Sequence, residues 1–336
     1  MVVVQPFHNI PSIPTYKQLM DIAFGRASRT SVKLPAVKDK LIIAKIKEIK
    51  RIEVSSSIII DRLKNIVGSM PNIDSLHPFY RDLFCIMIDR DRYNLALKNL
   101  SWALNFIGRL RRKYIVEVRR ASNPSEASQS RRAFYGRVSS IIKSVGGDLE
   151  FLSNVHKLKR LPALDFNFPI IIVCGAPNVG KSSFVKCVST AEPEIAEYPF
   201  TTKNIIVGHL IGPHGVIAQI IDTPGLLDRP LEERNKIELQ AIAALRNLHG
   251  GIVFLFDPTE TCGYTLEYQF NVFKGVMDLF KDRPLVIGLT KIDLATKEQI
   301  DKAISLIGSY KIYLCNTLQC IGVKDIVEEL LNQLKI

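Results

Sequence analysis

Long hydrophobic runs are missing from this sequence. No apolar stretch approaches the roughly 20 residues that a membrane-spanning helix needs. The longest, Phe168–Gly175 and Gly250–Pro258, have the length of strands. The opening MVVVQPFHNIPSIP carries no basic segment and is broken by prolines, so no secretory leader is expected. A lipidation motif is absent too. The six cysteines are scattered and form no Cys-x-x-Cys pair. They are expected to be reduced structural thiols of a cytoplasmic protein. The six histidines stand at no metal-ligand spacing, so no zinc site is expected. Internal repeats and low-complexity segments are absent.

What is present is a chain of 336 residues, 47% apolar and 23% charged, long enough for two domains with buried cores. Its net charge of +12 is uneven. Residues 1–165 hold 29 Lys and Arg against 14 Asp and Glu, whereas residues 166–336 hold 16 against 19. The basic excess therefore belongs to the first half, which points to a polyanionic partner bound there.

The hydrophobic period divides the chain at the same place. From Thr15 to about Leu158 it is helical. One helix starts at Thr15, and a second covers about Val37–Val67. A third opens near His77-Pro78, and a long fourth runs from Arg90 towards Ala121. Its expected buried face is Tyr93, Leu97, Leu100, Leu104, Ile107 and Tyr114. A last helix covers about Ser125–His156, with a break expected at Gly146-Gly147. His77 is expected to pack within this bundle, and Asp89–Tyr93 reads as a charge cluster at a helix start. RLPALDFNFP is a linker. After it, short apolar strands alternate with helices: IIIVCG, GVIAQIID, GIVFLFD, PLVIGLTK and KIYLCN. The expected domains are a basic helical bundle over 1–160 and an α/β domain over 166–336, with a mainly parallel sheet and helices on both faces.

Gly175–Ser182, GAPNVGKS, fits G-x-x-x-x-G-K-[ST] between a strand and a helix, the context of a P-loop. Here Gly175, Pro177, Asn178, Val179, Gly180, Lys181, Ser182 and Ser183 would form the nucleotide-binding loop, whose N–H groups other than at Pro177 would close around phosphate oxygens. Lys181 would reach the β- and γ-phosphates, and Ser182 would ligate Mg²⁺. Asp222-Thr223-Pro224-Gly225 follows a strand. Asp222 would act near Mg²⁺, and the Gly225 N–H would meet the γ-phosphate. Between the two motifs, Thr201 or Thr202 would close over the metal, with Thr202 the expected ligand.

Base choice rests on Thr290-Lys291-Ile292-Asp293. Asp293 can accept from the guanine N1–H and N2 amino groups, which adenine lacks. Thr290 stands where Asn is usual. Asn316, Thr317 and Leu318 form the last base-contacting loop, with Asn-Thr in place of the usual Ser-Ala. The reading is a GTPase in which Lys181, Thr202 and Gly225 support hydrolysis.

NVGKSSF, EYPFTTKNIIVGHL, IDTPGLLDRPLEERNKIELQAIAAL and FDPTETCGYTLEYQ, in this order, resemble the nucleolar GTP-binding protein 1 family of Obg-like GTPases. NIPSIPTYKQLMDIAFGRAS and HPFYRDLFCIMIDRDRYNLAL resemble that family's helical domain. The resemblance implies a GTP-hydrolysing assembly factor for the large ribosomal subunit, using GTP and Mg²⁺ and monomeric off the ribosome. Because Ile336 follows directly on the GTPase domain, an archaeal-type member is expected.

Leu226 occupies the position where Ras-like enzymes place a water-orienting glutamine. Turnover is therefore expected to be slow unless the ribosomal particle or K⁺ assists. Asn178 resembles the asparagine that ligates K⁺ in some related GTPases. The rRNA-facing candidates are Arg109, Arg111, Arg112, Lys113, Arg119, Arg120, Arg131 and Arg132. Phe134 and Tyr135, between Arg132 and Arg137, are expected to be core. Two other readings compete: an RNA-binding scaffold that holds guanine nucleotide with little hydrolysis, and a membrane-surface signalling GTPase.

Overall fold

The computed structural model describes residues 5–32, 39–190, 192–199, 204–213 and 215–335. Among the described residues six α-helices come first: α1 (Tyr16–Arg29), α2 (Lys40–Ser69), α3 (Pro78–Met87), α4 (Arg90–Arg120), α5 (Pro124–Ser144) and α6 (Gly146–Ser153). The sheet and its helices follow: β1 (Ile170–Cys174), α7 (Lys181–Val188), β2 (Glu194–Ala196), β3 (Ile205–Gly212), β4 (Gly215–Asp222) and α8 (Lys236–Ala244). Next come β5 (Ile252–Phe256), α9 (Leu266–Leu279), β6 (Leu285–Leu289), α10 (Lys297–Ile307), β7 (Ile312–Leu314) and α11 (Val323–Leu334). None of the described helices is long and apolar enough to cross a membrane.

The chain forms two compact units. One comprises 6–72 and 88–159, the other 1–5, 73–87 and 160–336. The chain passes from one unit to the other near residue 160, and Ile73–Met87, inside the helical run of sequence, belongs to the sheet unit. The reason is α3, whose Phe79, Tyr80, Leu83 and Phe84 are all buried. The Tyr80 hydroxyl donates to Pro162 O at 2.7 Å and accepts from Leu164 N–H at 3.1 Å. Asp82 accepts from Asn247. His77 is corrected with it: its ring stacks on Phe166 at 3.5 Å rather than packing in the bundle.

In the helical unit, Asp89 caps α4 by accepting from Arg92 N–H, as its charge cluster suggested. The buried stripe of α4 is Tyr93, Ala96, Leu100, Ala103, Ile107, Leu110, Tyr114 and Val118. The seam therefore runs through Ala96 and Ala103, not through Leu97 and Leu104, which are only partly buried. Alternating small and large residues lets neighbouring helices approach closely. Two buried carboxylates tie the bundle: Asp148 of α6 takes Arg92 at 2.6 Å and Asn99 at 2.9 Å, and Glu48 of α2 pairs with Arg131 and Arg51. Such pairs cost about 3–5 kcal/mol when one partner is removed, because a charge is left buried alone.

Among the described residues the sheet has seven strands, in the order β2-β3-β4-β1-β5-β6-β7. β4, β1, β5, β6 and β7 are parallel neighbours, while β2 and β3 pair antiparallel at one edge. Those two strands were not expected from the sequence. β1 and β5 are buried throughout because helices cover both faces. Beneath α7, Phe184 and Val185 are fully buried in a cluster with Ile171, Val173 and Ile220. Each such side chain contributes about 1.5–3 kcal/mol. β1 lies between β4 and β5, so the loop at its carboxyl end opens at the crevice of the sheet.

Candidate phosphate and base site

The Gly175–Ser182 loop leaves β1 and wraps onto the start of α7. Gly175 has φ 139°, and a Cβ there would lie 2.4 Å from Leu255 O. Gly180 has φ 102°, and its Cβ would meet Thr317 Oγ1 at 2.6 Å. Both conformations and both approaches require glycine. Lys181 is buried, and its Nζ donates to Gly175 O and Ala176 O, each at 2.9 Å. Its charge is thereby folded over the mouth of the loop. Asn178 is in the left-handed region at φ 61°, and its Nδ2 donates to Cys262 O at 3.5 Å.

Asp222 ends β4, beside Val173 of β1, and is fully buried. The Ser182 hydroxyl donates to its Oδ2. A serine hydroxyl and a carboxylate held together in this way are the hard-oxygen donor set that suits Mg²⁺. Pro177, Asn178, Gly180, Lys181, Ser182, Ser183, Pro224 and Asp228 line a pocket of about 350 Å³. Thr201 and Thr202 lie outside the described residues.

After Asp222 the backbone is held on several sides. Thr223 Oγ1 donates to Val173 O at 3.2 Å, and the Leu226 N–H donates to Thr223 O at 3.1 Å. Leu226 is 1% exposed, so its side chain is core rather than pocket lining. The Gly225 N–H donates to Asp228 Oδ2 at 2.8 Å. Arg234 donates through Nη1 to Gly225 O and through Nη2 to Asp228 Oδ1 at 3.1 Å. Burial lowers the Arg234 pKa, with nearby Arg229 pushing the same way. Asp228 and Arg234 were not among the residues expected from the sequence. The only signal was their closeness to the Asp-Thr-Pro-Gly turn.

At the base end, Thr290 is fully buried, and its hydroxyl donates to Val179 O at 2.8 Å, with Phe256 O at 3.1 Å. Lys291, at φ 55°, pairs with the buried Asp257 at 2.7 Å and reaches Thr261 Oγ1 at 3.0 Å. Burial alone would raise the Asp257 pKa, but bonds from Lys291 and Thr259 outweigh it and lower it. Asp293 is exposed in the following turn. Asn316 is buried and closes its own loop, accepting through Oδ1 from the N–H groups of Leu318 and Gln319. Thr317 packs on Gly180, and Leu318 is 82% exposed.

One expectation about the cysteines is corrected. Cys187, near the end of α7, and Cys320, in the loop after β7, form a disulfide with Cα atoms 5.4 Å apart. They lie 133 residues apart in sequence, so only the fold brings them together. Cys174, Cys262 and Cys315 are buried thiols.

The basic candidates fall into two groups. Arg109, Arg112, Lys113, Arg119, Arg120 and Arg132 are exposed. Arg111 is half-buried and donates to Ser57 Oγ at 3.4 Å, while Arg131 is held by Glu48. Phe134 is fully buried, and Tyr135 stacks on Phe24 at 4.3 Å. Both rings are therefore packed.

Residues 7–165 match the family model described as the NOG1 N-terminal helical domain, and residues 236–293 match that of nucleolar GTP-binding protein 1. The Drosophila melanogaster nucleolar GTP-binding protein 1 is 35% identical over 96% of this chain and 51% of its own length. An uncharacterised Methanocaldococcus jannaschii protein is 37% identical over 88% of this chain and 83% of its own. A Plasmodium falciparum crystal structure bearing the nucleolar GTP-binding protein 1 name is 37% identical. It covers 52% of this chain and 92% of its own, with a TM-score of 0.44. The chain spans about half the length of the Drosophila relative and 44% of a Dictyostelium discoideum one.

Proposed function

The chain belongs to the nucleolar GTP-binding protein 1 family, and from that premise we propose that it is a GTPase that assists assembly of the large ribosomal subunit. One observation carries the nucleotide reading. The Gly175–Ser182 loop lines one pocket with Pro224 and Asp228, Ser182 bonds Asp222 at its edge, and Thr290 and Thr317 fasten two further loops to that same loop.

In this reading the backbone N–H groups of 178–183 bind the α- and β-phosphates, and Lys181 leaves its two carbonyls for phosphate oxygens. Ser182, Asp222 and Thr202 hold Mg²⁺, which neutralises charge developing on the phosphates. Asp293 reads guanine, with Lys291 held in place by Asp257 and with Asn316, Thr317 and Leu318 closing over the base. The Leu226 side chain is buried and offers no group to place water. Chemistry is therefore slow without help from the particle or from K⁺ near Asn178. The exposed arginines and Lys113 of α4 and α5 engage rRNA phosphates.

Multiple-turnover GTP hydrolysis, measured with and without large-subunit precursors, tests the reading. Stimulation by the particle supports it. Tight GTP binding with no turnover in either condition leaves the RNA-binding scaffold instead.

A further inference from the structure

Asp228 does something that none of the expected site residues does. It is 5% exposed and lines the phosphate pocket beside Lys181 and Ser182. Its Oδ2 accepts the Gly225 N–H at 2.8 Å, and its Oδ1 accepts from Arg234 Nη2 at 3.1 Å. Arg234 Nη1 closes the cycle on Gly225 O. Both polar groups of Gly225 are thus clamped, its N–H by an anion and its carbonyl by a cation. Gly225 itself sits at φ 79°, where a glycine turns without strain.

A backbone N–H makes one full hydrogen bond. If the Gly225 N–H is to meet a γ-phosphate, the Asp228 carboxylate has to give it up. Two anions converging on one donor also repel each other. Arg234 sets how firmly the carboxylate is held, because its two bonds tie Asp228 to the very peptide in question. We propose that Asp228, clamped by Arg234, acts as an internal anion that competes with the γ-phosphate for the Gly225 N–H. It thereby biases the site towards diphosphate and couples γ-phosphate binding to release of the 225–234 segment. This rests on the GTPase reading above. It adds a residue that discriminates the third phosphate, and a reason why segment 225–234 would respond to it.

Charge decides the direction of the effect. A diphosphate makes no demand on Gly225, so removing the carboxylate leaves its affinity unchanged. A triphosphate analogue gains by no longer having to displace an anion. The test is equilibrium binding of fluorescent GDP and GMPPNP, with Mg²⁺, to the full chain and to Asp228→Ala and Asp228→Asn. We expect the GMPPNP-to-GDP affinity ratio to rise by at least about fivefold in Asp228→Ala, the low end of typical coupling between sites. GDP affinity should stay within about twofold. Asp228→Asn should give an intermediate ratio, since its carbonyl still accepts the N–H without charge. A purely structural role would weaken both nucleotides together. If Asp228→Ala loses GDP binding through misfolding, the near-isosteric Asp228→Asn carries the comparison. An unchanged ratio in a variant that still binds GDP overturns the proposal. A wild-type chain that binds neither nucleotide overturns the GTPase reading beneath it.

Discussion

The Thr290 hydroxyl donates to the Val179 carbonyl at 2.8 Å, so the residue that opens the Thr-Lys-Ile-Asp turn also holds the Gly175–Ser182 loop. The usual asparagine at this position has a longer side chain and two donors. Here a short hydroxyl suffices because β5 and β6 bring Thr290 directly beneath the loop, where its own N–H also donates to Phe256 O at 2.8 Å. Thr290→Val keeps the shape and leaves the buried Val179 carbonyl without this donor. Such a loss costs about 1–3 kcal/mol. Thermal unfolding should show that destabilisation, and GDP binding should weaken with it. Unchanged values in both would mean the bond contributes nothing.

Guanine selectivity should follow Asp293. Asp293→Asn reverses the hydrogen-bond polarity facing the base N2 position, so GTP binding should fall by at least about 100-fold and xanthine nucleotide should be admitted. Competition binding with GTP, XTP and ATP reads this directly. A wild-type chain that binds ATP as tightly as GTP would sink the assignment.

Potassium dependence should reside in Asn178. Replacing K⁺ by Na⁺ at equal ionic strength should slow wild-type turnover but leave Asn178→Ala unaffected. Equal wild-type rates in the two salts would remove the cation from the mechanism.

The rRNA surface should be read from Arg109, Arg112 and Lys113, which are exposed, rather than from Arg111 or Arg131, which have partners inside the bundle. Each phosphate contact releases roughly 0.7–0.9 counterion. Changing these three residues to Ala should therefore lower both rRNA affinity and its salt slope, while GDP binding is retained. A slope equal to wild type would make this a solvated face.

The Cys187–Cys320 bond closes a span of 133 residues, so it restricts the unfolded chain strongly. Loop-closure entropy puts its contribution on the order of 4–5 kcal/mol, with measured values often lower. The double variant Cys187→Ser/Cys320→Ser should unfold at lower temperature. It should also release GDP faster, because the bond ties the loop that carries Thr317 to α7. Identical melting of oxidised, reduced and variant protein would show that the bond contributes no stability.

Much of this molecule could be read in order along the chain. The P-loop, the Asp-Thr-Pro-Gly turn and the Thr-Lys-Ile-Asp turn are local patterns in which each residue's chemistry is set by its near neighbours. The same holds for the Asp89 cap and the break at Gly146, which depend on backbone groups within one turn. The fold class followed from hydrophobic period, because burial of one face leaves its spacing in the sequence. Two things depended on residues far apart in the chain and a third on how one turn folds back on itself, and only the tertiary structure decided them. Helix α3 joins the sheet unit because Tyr80 finds the Pro162 and Leu164 backbone, a pairing with no sequence period. Cys187 meets Cys320 because α7 and the loop after β7 flank the same end of the sheet. The Asp228–Gly225–Arg234 clamp exists because a turn folds a carboxylate back onto the N–H three residues before it and buries an arginine against both. Composition also sorted the basic residues by charge alone. Burial then separated Arg131, spent on Glu48, from Arg109 and Arg112, which remain exposed, because a charge is available to a partner only where no internal counter-ion has claimed it.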